Sequence, residues 1–336
     1  MRKIMTIAMM VAAMAAFSQM QITKNKVMGE AGLGYGMTTI TTAAGDVDVD
    51  AMGFVVPGID YQFEAKPNDM FKLYLYAGLS YEMEKANVDG EPLNDQDVYA
   101  SDLSFYLNPM VKGYFANNLF AKLALPYNYV SATEQNEDAE ALAESGLDFV
   151  LSGGFDNREI EMHALTPWDK FEKGMAFYAI YDMGVMGSID YIDPVTGDTE
   201  TEDDPELASY FGVAGYYAHM MENMMVKPYL MYKMGMNDKI DENGYFNIGL
   251  QFAKDFNEKM NLEAGLDFGM TMLPEEDLAG NDAYNELDVE AQFNYYVMPE
   301  LDIYGGLGMN MDLTTEDANP VYMFGLGAVY TMNLLK

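Results

Sequence analysis

The stretch Asn261-Leu262-Glu263-Ala264-Gly265-Leu266-Asp267-Phe268-Gly269-Met270-Thr271-Met272 decides the fold. Leu262, Ala264, Leu266, Phe268, Met270 and Met272 alternate with Asn261, Glu263, Gly265, Asp267, Gly269 and Thr271. Successive side chains of a strand point to opposite faces, so this is a ribbon with one apolar and one polar face. A helix would scatter the same residues around its circumference. The ribbon is also long. Soluble strands average about five or six residues, whereas a tilted strand crossing a bilayer needs about 9 to 11.

The same alternation recurs on both sides. In Glu286 to Val297 the residues Leu287, Val289, Ala291, Phe293, Tyr295 and Val297 oppose Asp288, Glu290, Gln292 and Asn294. Leu301 to Asp312 and Phe71 to Met83 repeat it. Read this way, the chain predicts strands near 28–38, 51–65, 70–84, 98–114, 119–132, 146–160, 174–191, 207–220, 225–237, 244–256, 260–273, 285–297, 300–312 and 321–334. That is about fourteen; twelve or sixteen follow if residues 157–174 are read differently. This segment holds the only Trp, and Thr166-Pro167-Trp168-Asp169 carries the N-cap and N1 residues of a short helix or else forms an ordinary turn.

The connections alternate in kind. Long acidic gaps such as Ala44 to Asp50, Asp89 to Asp95 and Asp198 to Pro205 follow odd-numbered strands. Short ones follow even-numbered strands: Lys66-Pro67-Asn68-Asp69, Ala116-Asn117-Asn118, Asn257-Glu258-Lys259 and Met298-Pro299. Pro, Asn and Asp supply the reversals. The fold class expected is all-β: a transmembrane, antiparallel, up-and-down β-barrel closed so that lipid meets no unpaired edge.

Residues 1–18 read as a signal peptide. Arg2 and Lys3 precede the uncharged run Ile4 to Phe17, and small residues allow cleavage after Ser18 or after Ala15. Residues 19–336 form the single barrel domain. The 336 residues hold 54 Asp and Glu against 18 Lys and Arg, a net charge of −36, which excludes a nucleic-acid partner. There is no Cys, hence no disulfide, thiolate metal site or Cys nucleophile. His163 and His219 sit in no catalytic motif, so no enzyme activity and no catalytic residue is expected. Nor is a cofactor. The Asp46-Val47-Asp48-Val49-Asp50 run and Glu275-Glu276-Asp277 match no twelve-residue calcium loop, and the 31 Met read as apolar filling rather than copper ligands.

The last strand carries a family resemblance. Tyr322, Phe324, Leu326, Ala328, Tyr330, Met332 and Leu334 alternate with Val321, Met323, Gly325, Gly327, Val329, Thr331 and Asn333. With the alternating loops and the leader, this resembles the porin-like outer-membrane β-barrels of Gram-negative bacteria. The resemblance implies an outer-membrane location, and lipid, lipopolysaccharide and the barrel-assembly machinery as partners. Family members commonly end in an aromatic residue, whereas this chain ends Leu334-Leu335-Lys336.

Strand parity then nominates the pore lining: Asp60, Glu64, Lys72, Asp102, Lys122, Asp148, Asp182, Lys233, Glu263, Asp267, Asp288, Glu290 and Asp302. A fuller polar face includes Lys112, Asp156, Lys227 and Lys254. Carboxylates outnumber cations, so the expected function is passive, mildly cation-selective diffusion of small hydrophilic solutes. The alternative is a non-conducting structural or adhesive barrel with acidic, divalent-cation-binding loops. In it, loop 133–145 or 192–206 would plug the lumen.

Overall fold

The structure, a computed structural model, describes residues 21–42, 45–88, 91–92, 100–115, 118–134, 141–160, 171–192, 199–203, 209–236, 244–273, 283–315 and 318–335. They are almost entirely strand. The strands are β1 (Gln21–Thr42), β2 (Gly45–Asn68), β3 (Phe71–Val88), β4 (Glu91–Pro92), β5 (Ala100–Tyr114) and β6 (Leu119–Ala124). Next come β7 (Tyr127–Glu134), β8 (Ala141–Asp156), β9 (Glu159–Ile160), β10 (Glu172–Ile192), β11 (Thr199–Asp203) and β12 (Ser209–Met221). The last are β13 (Met224–Gly235), β14 (Gly244–Asn257), β15 (Met260–Met272), β16 (Ala283–Met298), β17 (Leu301–Asp312) and β18 (Val321–Asn333).

The wall is a closed barrel of fourteen antiparallel staves. β1 pairs with β2 on one side and with β18 on the other, from Lys26↔Asn333 to Met37↔Tyr322. Each stave therefore has two hydrogen-bonded neighbours, as the hydrocarbon of a bilayer demands. β6 and β7 make one stave, interrupted at Leu125-Pro126. Proline has no N–H to give to the ladder, but Leu125 N still donates to the Pro109 carbonyl (3.1 Å), and Asp148 N to the Pro126 carbonyl (2.9 Å). The short β4, β9 and β11 extend neighbouring hairpins.

The structure revises two boundaries and the face of one residue. The Asp46 to Asp50 run is not a loop: it lies in β2 and pairs with β1, where Thr39 Oγ1 donates to Asp48 Oδ1 at 2.9 Å. Within 192–206, residues 199–203 pair with 188–192 and so continue the sheet. Lys254 belongs to the outer face: it shares its parity with Ile248 and Leu250, both exposed, and its ammonium lies 5.6 Å from the Phe256 ring centre. The apolar stem packs on the barrel while the charge reaches toward the interface. The Thr166 to Asp169 segment, His163 and the signal peptide lie outside the described residues.

The apolar face points outward. Leu33, Ile59, Leu79, Phe177, Leu230, Leu266, Leu307 and Leu326 are all exposed. No helix among the described residues is long and apolar enough to cross a membrane.

Candidate functional site: the lumen

Two side-chain bridges identify the inner face. Tyr106 on β5 donates to Asp60 Oδ1 on β2 (2.7 Å), reaching over β3 at Gly78. Tyr304 on β17 donates to Glu30 Oε1 on β1 (2.5 Å), reaching over β18 at Gly327. Such a reach across an intervening strand is shortest on a concave face. Glycine is required there: a Cβ at Gly78 or Gly327 would overlap the tyrosine ring.

From these anchors the pairing can be followed round the barrel, through bulges between β1 and β2, β2 and β3, β8 and β10, β14 and β15, and β16 and β17. It puts all thirteen residues nominated from the sequence on the inner face. Asp60 and Glu64 lie on β2, Lys72 on β3, Asp102 on β5 and Lys122 on β6. Asp148 lies on β8, Asp182 on β10 and Lys233 on β13. Glu263 and Asp267 lie on β15, Asp288 and Glu290 on β16, and Asp302 on β17.

These residues are not mixed evenly. One arc of wall is acidic: Glu263 and Asp267 on β15, Glu286, Asp288 and Glu290 on β16, and Asp302 on β17. The chain has no Lys or Arg between Lys259 and Lys336, so nothing basic enters this arc from its own strands. Asn310 Nδ2 donates to Asp288 Oδ1 (2.7 Å), and Asn294 Nδ2 to Glu263 Oε1 (3.3 Å). Counting staves round the ring, β16 stands opposite the β6–β7 stave, and the basic residues gather there. Lys72, Lys112 and Lys122 lie side by side on β3, β5 and β6.

The basic arc continues into an ion-pair network. Asp156 accepts from Lys112 and, through both carboxylate oxygens, from Arg158 Nε (2.8 Å) and Nη2 (2.7 Å). Arg158 Nη1 reaches Glu172 Oε2 at 3.3 Å, and Lys227 Nζ meets Glu172 Oε1 at 2.6 Å. Tyr216 takes both cations on its ring, Lys227 at 4.3 Å and Arg158 at 5.0 Å. Asp156 and Glu172 are both buried, and Phe171 beside them packs on Ala218, Met220, Met225 and Ala253. Sequence reasoning missed Arg158 and Glu172, because they stand at the two ends of a turn where parity has no meaning. An Asp-Asn-Arg turn ending an acidic strand was the available signal.

The lumen differs between its ends. Toward the long connections, inward-facing Glu82, Asp102, Tyr106, Asn128 and Glu286 are exposed. Toward the short turns, inward-facing Lys112, Ser152, Asp156, Asp255, Asn261 and Asn294 are buried. Among the described residues the inner face thus forms a vestibule with a packed floor. His219 lies at the floor end on the outer face, exposed and stacked on Tyr217. Its Nδ1 lies 3.4 Å from the Tyr217 hydroxyl.

No protein-family model matches the chain, and no curated protein matches it. Solved structures do. A deletion mutant of the TodX monoaromatic hydrocarbon channel superposes with a TM-score of 0.51 at 8% identity, covering 93% of this chain and 91% of that one. A FadL homologue of Pseudomonas aeruginosa gives 0.47 at 9% identity, over 92% and 90%. The first of these likenesses shows the fold alone, that of an outer-membrane β-barrel.

Proposed function

We propose that the chain is an outer-membrane channel for passive, mildly cation-selective diffusion of small hydrophilic solutes, exported by cleavage of residues 1–18. The observation that carries this reading is the acidic arc of β15–β17, which presents carboxylates to the lumen with no basic residue on those strands. A carboxylate wall concentrates cations and repels anions in a wet, low-dielectric-walled passage. A fourteen-stave barrel is too wide for side chains alone to fill. That the TodX mutant is a monoaromatic hydrocarbon channel supports transport in general and no particular solute. The short turns then face the periplasm and the long connections the outside. Lipopolysaccharide meets the outer rim, and the assembly machinery inserts the chain.

The test is planar-bilayer conductance of the refolded mature chain under a KCl gradient. Discrete steps with a cation-selective reversal potential are expected. Asp267→Asn with Glu290→Gln should move that potential toward zero. A chloride preference overturns the selectivity.

The packed floor favours a second reading, a structural or adhesive barrel that does not conduct at rest. Folded protein without steps supports it, and its acidic outer rim then becomes the functional surface.

A further inference from the structure

We propose that the floor of the lumen holds an oxyanion-binding station centred on Lys122 and Ser152, which takes the carboxylate or phosphate group of a solute in the vestibule. The station rests on the lumen geometry and not on conduction.

Lys72, Lys112, Lys122 and Ser152 form one row across four neighbouring staves, each the register partner of the next. Like charges directly opposite one another in a sheet repel, so three adjacent lysines need compensation. Two of them have it. Lys112 binds Asp156 and lies 4.0 Å from the Phe120 ring centre. Lys72 lies 5.4 Å from the Tyr114 ring centre. Lys122 has no carboxylate partner among the described residues. It is half-buried, with the Lys112 side chain as its register neighbour on the same face.

Ser152 supplies an independent observation. It is 3% exposed, it faces the lumen beside Lys122, and its hydroxyl has no hydrogen-bond partner among the described residues. A buried polar group without a partner is rare and asks for an explanation. The surrounding charge points the same way. Lys112, Arg158 and Lys227 share two carboxylates, Asp156 and Glu172, and Lys72 and Lys122 in the adjoining row add to the positive side. In a chain of net charge −36, this is a local excess of positive charge. An anion relieves it. An oxyanion suits the pair of donors, because one of its oxygens can accept from the Lys122 ammonium and another from the Ser152 hydroxyl.

The experiment is calorimetric titration of the full mature barrel, refolded in a zwitterionic detergent at fixed NaCl, with inorganic phosphate and with acetate as probes. Saturable binding near one equivalent is expected for at least one probe. Lys122→Gln should weaken it at least tenfold, and Ser152→Ala several-fold, whereas Lys254→Gln, on the outer face, should leave it unchanged. Binding of phosphate alone assigns the station to phosphate groups. Displacement of phosphate by acetate extends it to carboxylates. Absence of saturable binding by either probe overturns the proposal, as does a folded Lys122→Gln protein that binds like the parent. If Lys122→Gln does not fold, Ser152→Ala decides by the same criterion. A barrel that binds phosphate but passes no current keeps the station and removes the channel. A conducting barrel that binds neither probe does the reverse.

Discussion

At the scale of single residues, the inner wall is organised by tyrosines laid over glycines. Tyr106 covers Gly78 to reach Asp60, and Tyr304 covers Gly327 to reach Glu30. Gly249 repeats the device: a side chain there would meet both the Tyr229 ring and Asp267. The ring buries bare backbone that would weaken a strand, and the hydroxyl fixes the rotamer of a carboxylate two strands away. Gly78→Ala should therefore destabilise the barrel by about 1–3 kcal/mol, the cost of overpacking, read from urea unfolding in lipid vesicles. Tyr106→Phe should keep the packing and cost about 1 kcal/mol, the net value of one hydrogen bond. Sequence periodicity shows which residues share a face, but not which glycine lies beneath which ring, because that depends on inter-strand register. Glu222 is a different case. It opens the β12–β13 turn at φ 47°, a left-handed conformation that a side chain makes costly. Glu222→Gly should stabilise the barrel by about 1 kcal/mol in the same unfolding assay.

At the scale of elements, the short turns are closed by their own side chains. Asn68 Oδ1 accepts from the N–H of Met70 (2.9 Å) and of Phe71 (3.0 Å), so the β2–β3 reversal is an Asx-type turn. Across it Lys66 meets Asp69 at 2.9 Å, and that hydrogen bond holds the exposed Asp69 carboxyl below its ordinary value. The pair acts above the ordinary Asp range and is lost as acid protonates Asp69. Asn68→Ala should cost about 1 kcal/mol and slow hairpin closure, which stopped-flow refolding into vesicles would detect. The connection from β9 to β10 is held otherwise, by Glu172 between Arg158 and Lys227. Removing one member of a buried network strands the others, so Glu172→Ala should cost about 3 kcal/mol. Limited trypsin digestion should then cut faster at Arg158 and Lys173 than in the parent. Unchanged digestion would mean that the network does not anchor this connection. The turns themselves were legible in the sequence, since Asn, Asp and Pro mark them. The network was not, since ion pairs between residues fourteen apart depend on where the chain returns.

At the scale of the whole molecule, closure turns a list of strands into a field. β16 stands opposite the β6–β7 stave only because the ring holds fourteen staves. The unbroken lack of Lys and Arg between Lys259 and Lys336 then becomes an acidic wall facing a basic one. Such a field acts through water and is screened by salt. The cation preference should be strongest in dilute KCl and fade toward 1 M, where the Debye length falls from about 10 Å at 0.1 M to about 3 Å. Reversal potentials across that range, at a fixed concentration ratio, check it. A preference independent of salt would place the selectivity at direct contact rather than in the field. The strand class, the alternation of turns and loops, and the face of most charged residues, though not of Lys254, could be read from the sequence alone, because a period of two is a local property of the backbone. Which charges oppose one another, which tyrosine covers which glycine, and that the polar face is open toward the long connections and packed at the short turns were settled by the folded barrel. Those depend on register, stave number and curvature, which arise when β1 meets β18 and are written in no single strand.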